Sequence, residues 1–196
     1  MTLLLNIRVW NLFIMSEKPT ILHQSIVTKS RLFTVEAVEF KFSNGVERTY
    51  ERILAGGGGA VMMVAMLDDE HVALIKEFAG GINEYTLTLP KGAVDLGETL
   101  EHAANRELQE EIGFAAEKIT FLKRLSLSPS YISGYIDVFL AEDLYPSSLE
   151  GDEPEPLELV KWPLANLDEL IARDDCSEGR AIAALYMARD YLSKRA

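Results

Sequence analysis

GAVDLGETLEHAANRELQEEIGF, residues Gly92 to Phe114, decides how this chain of 196 residues is read. Written as G-x5-E-x7-R-E-U-x-E-E-x-G-U, with U a bulky apolar residue, the stretch has Gly92, Glu98, Arg106, Glu107, Glu110, Glu111 and Gly113 at every fixed position. Leu108 and Phe114 fill the apolar ones, and Ile112 stands at the open position before Gly113. If each fixed residue type occurs at roughly one position in fifteen, seven matches coincide by chance on the order of once in 10^8 placements. Coincidence is a poor explanation.

The local physics of the segment is a glycine-bearing loop followed by a helix. Thr99 suits an N-cap and Glu101 suits the first turn, so the pattern predicts a helix from about Leu100 to Ile112. Gly113, free to take a positive φ, ends it. Leu100, Ala104, Leu108 and Ile112 recur every four residues as an apolar stripe, and Glu107, Glu110 and Glu111 fall three and four apart along its border. Like charges so close need a cation or full exposure to water. An acidic helix edge is usually only a solvated face; Gly92 and Glu98 ahead of it turn the expectation toward a site. An all-oxygen ligand set favours Mg²⁺, with Mn²⁺ as the alternative. Arg106 is expected to orient Glu98 or Glu110 through a bidentate pair rather than to touch substrate.

With all its fixed positions filled, the segment resembles the Nudix box, the signature of hydrolases that cleave a nucleoside diphosphate linked to another moiety. The resemblance implies a loop-helix-loop metal site in which Glu107, Glu110 and Glu111 are ligands, Glu111 also serving catalysis. The backbone carbonyl of Lys91 would be a further ligand, with Gly92, Glu98, Arg106 and Gly113 as structural support.

Composition bounds the rest. Nearly half the residues are apolar and the length suits one core plus a small appendage, which excludes a disordered or fibrous chain. A net charge of -12 argues against broad binding to nucleic acid or to an anionic membrane. The single cysteine, Cys176, can form no intrachain disulfide and fits a reducing cytoplasm. The first fourteen residues, MTLLLNIRVWNLFI, lack a basic leading region and a small-residue cleavage site and are too short to span a bilayer. The polar SEKPT after Met15 predicts that translation starts there, with residues 1–16 a non-core extension.

In residues 17–55, the alternating LFTVEAVEF and VERTYERI flank Ser43-Asn44-Gly45 and predict a small antiparallel sheet. Gly56 to Gly59 read as a flexible connector. Residues 56–196 form the larger domain: AVMMVAML and HVALIKEF as buried strands around Asp68-Asp69, Leu87 to Leu89 leading into the box, ITFLKRLSLS and YIDVFLAEDL as strands, LVKW as another. A helix over LANLDELIA and a terminal one from about Ser177 to Lys194 complete it. Strands with helices on both sides predict an α/β/α sandwich with a mixed sheet.

Glu153 and Glu155 lie between prolines in the acidic loop LEGDEPEPLE, a composition that alone means solvation more often than function. From about Pro19 onward, however, the chain resembles the NudE-type ADP-compound hydrolases of the Nudix superfamily, through KSRLFTVEAVEF, SNGVERTYER, ANRELQEEIGF, LSLSPSY and DLYPSSLEGDEPEPL. Related ADP-ribose pyrophosphatases carry a glutamate pair in this loop, which implies Glu153 as general base and Glu155 as an additional metal ligand. The resemblance implies ADP-ribose, NADH and diadenosine triphosphate as substrates, AMP as product and a homodimer joined through residues 17–55. Arg52 is a candidate for adenine or ribose contact, its alternative being an ion pair with a nearby Glu. Ser128, Ser130 and Tyr131 are candidate site-lining residues, Tyr131 equally suited to the core. Glu77 receives no role. The chain departs from many ADP-ribose pyrophosphatases in carrying Thr88 where they carry Glu. Two competing functions remain: hydrolysis of another nucleoside diphosphate derivative, such as a sugar nucleotide or an RNA 5′ end, and a catalytically inactive nucleotide sensor.

Overall fold

The computed structural model describes residues 17–195, so the expectations about the first sixteen residues and a Met15 start lie outside the described part. The chain divides after Ile53 into two compact units. In the first, β1 (Thr20–Lys29), β2 (Thr34–Lys41) and β3 (Glu47–Leu54) form a sheet in that order. The turn after β2 is the one Asn44-Gly45 predicts: Asn44 Oδ1 accepts from Val46 N at 3.0 Å, and Gly45 takes φ +81°. β1 was not legible as a strand. All ten of its residues are exposed, so no buried face imposes an alternating pattern, and antiparallel pairing with β2 makes the strand.

The second unit holds β4 (Ala60–Ala65), β5 (His71–Ala79), β6 (Glu84–Thr88), β7 (Lys91–Ala93), α1 (Leu100–Glu111), β8 (Phe114–Ser126), β9 (Tyr135–Pro146), β10 (Glu158–Pro163), α2 (Leu167–Ile171) and α3 (Gly179–Ser193). Its strands form two sheets, β10-β5-β6 and the mixed β7-β4-β9-β8, in which β4 and β9 run parallel. Alternation along buried strands sorts the core into two layers. Met62, Val64, Leu74, Val138 and Leu140 face α2 and α3. Val61, Met63, Ala73, Ile75 and Phe139 face Ala103, Ala104 and Leu108 of α1. This is the predicted α/β/α sandwich. Among the described residues, no helix is long and apolar enough to cross a membrane.

The glycine run is more than a connector. A Cβ on Gly58 would lie 1.9 Å from the Val94 carbonyl oxygen, and Gly59 accepts from Val94 N at 3.2 Å. The run is therefore packed against the loop that opens the box.

Candidate active site

Three chain segments converge on one cleft. The first is the entry to the box. Pro90 O accepts from Met63 N at 2.8 Å, and β7 continues antiparallel to β4, Met62 opposite Lys91 and Val61 opposite Gly92. The Lys91 N–H turns away from β4 and donates to Glu111 Oε2 at 2.9 Å. Because a strand residue points its N–H and C=O to the same side, the Lys91 carbonyl shares that direction.

The second segment is α1. Thr99 caps it by accepting from His102 N at 3.2 Å, and Gly113 follows at φ +73°. With Ala103, Ala104 and Leu108 fixed in the core, the border bearing Glu107, Glu110 and Glu111 faces β7. The approach is tight: a Cβ on Gly92 would stand 2.0 Å from the Glu107 carboxylate carbon. Only glycine leaves the Glu107 carboxylate in this position.

Arg106 braces the ring of carboxylates. Its Nε and Nη2 grip Glu98 at 3.1 and 3.0 Å, Nη1 donates to Glu107 at 2.7 Å and Glu110 at 2.9 Å, and Nη2 also reaches Ala93 O at 2.8 Å. The guanidinium holds the Glu98 carboxyl down at about 2, with the His102 ring and Asp95 N–H assisting against burial. Arg106 pairs with both Glu98 and Glu110.

The third segment is the acidic loop after β9. Ser147 N donates to Gly113 O at 3.0 Å, Leu149 N to Gln109 O at 3.1 Å, and Ser147 Oγ to Gln109 Oε1 at 2.8 Å. These bonds tie the loop to the last turn of α1, and Glu150 to Glu153 then line the cleft with Lys91, Gly92, Asp95 and the α1 glutamates. The cavity measures about 660 Å³. Asp95, Glu107, Glu110, Glu111, Glu150, Asp152 and Glu153 bring seven carboxylates to it, against the cations Lys91 and Arg106.

That imbalance raises proton affinities. Burial lifts Glu111 to about 8 despite the Lys91 N–H and ammonium, with Glu107 and Glu77 adding to the rise. Glu107 is raised chiefly by burial, Arg106 opposing. Glu153 is raised by partial burial, then by Glu77 and Asp152, while Lys91 opposes. Among the described residues, no three His, Cys, Asp or Glu side chains stand at metal-holding spacing. Each carboxylate instead takes its nearest donor, Glu107 and Glu110 the Arg106 guanidinium and Glu111 the Lys91 amide. The donor set still fits a hard divalent cation, because it offers buried and half-buried carboxylate oxygens whose charge is incompletely compensated.

Glu155, Ser128, Ser130 and Tyr131 are not among the residues that line this cleft. Glu155 accepts from the Tyr85 hydroxyl at 2.6 Å. Ser128 O closes a turn by accepting from Tyr131 N and Ile132 N, and Tyr131 is 57% exposed, so it is not core. Arg52, in the first unit, pairs with Glu36 through Nε at 2.8 Å and Nη2 at 2.7 Å. Thr88 is buried and donates to Glu178 Oε2 at 2.6 Å. Sequence reasoning missed Asp95, Glu150 and Asp152 in the cleft, and left Glu77 without a role although it pairs with the Lys91 ammonium. A charged residue following the apolar HVALI run was the available signal for Glu77.

Residues 19–52 match the NudE-type Nudix hydrolase N-terminal domain, and residues 58–185 match the NUDIX domain. The chain is similar to ADP compounds hydrolase NudE of Escherichia coli (strain K12), 52% identical over 176 residues, which are 90% of this chain and 94% of that one. It is 26% identical to ADP-ribose pyrophosphatase of Bacillus subtilis (strain 168), over 84% of this chain and 91% of that one. A crystal structure of an ADP compounds hydrolase superposes with a TM-score of 0.86 at 50% identity, covering 92% of this chain and 97% of that one.

Proposed function

We propose, from the premise that the chain belongs to the Nudix hydrolase family and is a pyrophosphohydrolase of ADP-containing compounds, a site-specific mechanism for that hydrolysis. Water attacks one phosphorus of the diphosphate linkage and AMP is released. The observation that carries the mechanism is the meeting of Glu153 with Glu107, Glu110 and Glu111 in one cleft. Glu107, Glu110, Glu111 and the Lys91 carbonyl would hold Mg²⁺, or Mn²⁺ in its place. When bound, such a cation neutralises phosphate oxygens and acidifies water. Glu153 accepts the proton of the attacking water, a task favoured by a proton affinity above the ordinary carboxylate range. Arg106 and Glu98 keep the helix carboxylates in place, since diphosphate cleavage depends mainly on alignment and charge stabilisation.

Glu155 serves as an additional ligand, by analogy with the glutamate pair of related ADP-ribose pyrophosphatases; its short bond to Tyr85 is the contact it would exchange. Arg52 is assigned to substrate contact because a guanidinium can stack on a base and bind phosphate, and Ser128, Ser130 and Tyr131 are assigned as site-lining groups. The substrates are ADP-ribose, NADH and diadenosine triphosphate, handled by a cytoplasmic homodimer that binds neither nucleic acid nor membrane. Support for pairing through residues 17–55 comes from β1, an edge strand with Ile21, Leu22, Ile26 and Val27 all exposed.

A hydrolysis screen with Mg²⁺ tests the function. ADP-ribose, NADH and diadenosine triphosphate are expected to release AMP faster than GDP-mannose or capped RNA are cleaved. Faster turnover of either of the last two would reassign the substrate class, and binding without turnover would make the protein a sensor.

A further inference from the structure

The cleft that receives a diphosphate carries only two cations among its lining residues, Lys91 and Arg106. A guanidinium has five N–H donors. Arg106 commits all of them to protein oxygens: Nε to Glu98, Nη1 to Glu107 and Glu110, Nη2 to Glu98 and Ala93 O. It has none left for a phosphate. The Lys91 ammonium has three donors and a single recorded partner, Glu77 of β5. Its side chain is 19% exposed, so it is held in place yet reachable from the cleft.

We infer that the Lys91 side chain binds a substrate phosphate oxygen directly, with Glu77 as the residue that positions its ammonium. This role is separate from that of the Lys91 backbone carbonyl, and it rests on the diphosphate-hydrolase reading above. The chemistry is simple. Seven carboxylates line the cleft, and a dianionic diphosphate entering it meets repulsion that one fixed cation with two spare donors offsets. Lysine suits the task as a compact point charge whose donors can turn from Glu77 toward the ligand without moving the backbone.

The test is calorimetric binding of a non-hydrolysable ADP-ribose analogue, with methylene bridging the two phosphorus atoms, in the presence of Mg²⁺. Lys91→Met is expected to raise its Kd about tenfold to a hundredfold, the loss of one or two charge-assisted hydrogen bonds. Lys91→Arg should recover part of the loss. Mn²⁺ binding to the protein alone, read by electron paramagnetic resonance, should not weaken, because the backbone carbonyl is untouched. A double variant, Lys91→Met with Glu77→Gln, removes both charges and leaves no unpaired carboxylate. It should show the same weakened analogue binding, and it answers the question if the single variant folds poorly. Analogue binding within twofold of wild type in the double variant overturns the role of Lys91. Failure of the wild-type protein to cleave any ADP compound overturns the underlying reading instead, and this inference with it.

Discussion

Across twenty residues of chain, the Lys91 backbone N–H donates to Glu111 Oε2 at 2.9 Å, fastening the start of the box to the last turn of its helix. Glu111 is half-buried, and this bond orients it before any ligand arrives. The two ends of the motif close into a loop through one carboxylate.

That linkage gives a pH dependence. Burial holds Glu111 at about 8, above the ordinary carboxylate value near 4.5. A raised folded-state value contributes stability that is complete below about 4.5 and is lost as pH rises through 8. In EDTA the melting temperature should fall between those values. Saturating Mg²⁺ should flatten the slope, because a cation bound by the ionised form reverses the preference, and Glu111→Gln should abolish it. The acid side has the opposite sign. Glu98, held at about 2, contributes stability present above about 4.5 and lost as pH falls toward 2, so Glu98→Gln should flatten that limb.

Arg106→Ala removes five hydrogen bonds and leaves three crowded carboxylates without their cation. Urea denaturation should show a loss of about 3 kcal/mol, the scale for breaking one partner of a buried ion network. Arg106→Lys should recover less than half, since an ammonium cannot reproduce the planar fork.

Gly92→Ala places a Cβ 2.0 Å from the Glu107 carboxylate carbon. The clash is with the end of a side chain, so the fold should survive while Glu107 is displaced. The Mg²⁺ concentration for half-maximal turnover is expected to rise about tenfold or more. An unchanged Mg²⁺ dependence would mean that Glu107 is not a ligand.

Glu153→Gln should lower kcat by roughly 10² to 10⁴ while leaving the Mg²⁺ dependence within about twofold. Because burial and neighbouring acids raise the wild-type Glu153, turnover in the wild type should fall as pH drops through a value above 4.5. Near-normal turnover of the variant assigns the base elsewhere.

Much of this fold was legible along the chain because its signals are local. Helix α1 begins one residue after its Thr99 cap and ends just before Gly113, and β4 and the Val72–Ile75 part of β5 are continuous apolar runs. β1 was hidden because nothing buries it. Gly58 looked like slack because its constraint, the Val94 carbonyl, comes from 36 positions further along.

The sequence by itself determined the chemistry. Spacing along one helix fixes which carboxylates share an edge, and the Gly92-to-Gly113 pattern fixes the turns at its ends, since both follow from backbone geometry a few residues long. Only the tertiary structure decided the company those carboxylates keep. Bonds from Ser147 and Leu149 carry Glu153 to the cleft, while Glu155 is drawn to Tyr85. Glu77 on β5 reaches Lys91, and Arg106 is consumed by its neighbours, which leaves Lys91 as the lining cation with donors to spare. Hydrogen-bond capacity is satisfied in space across tens of residues, so no local pattern could have revealed it.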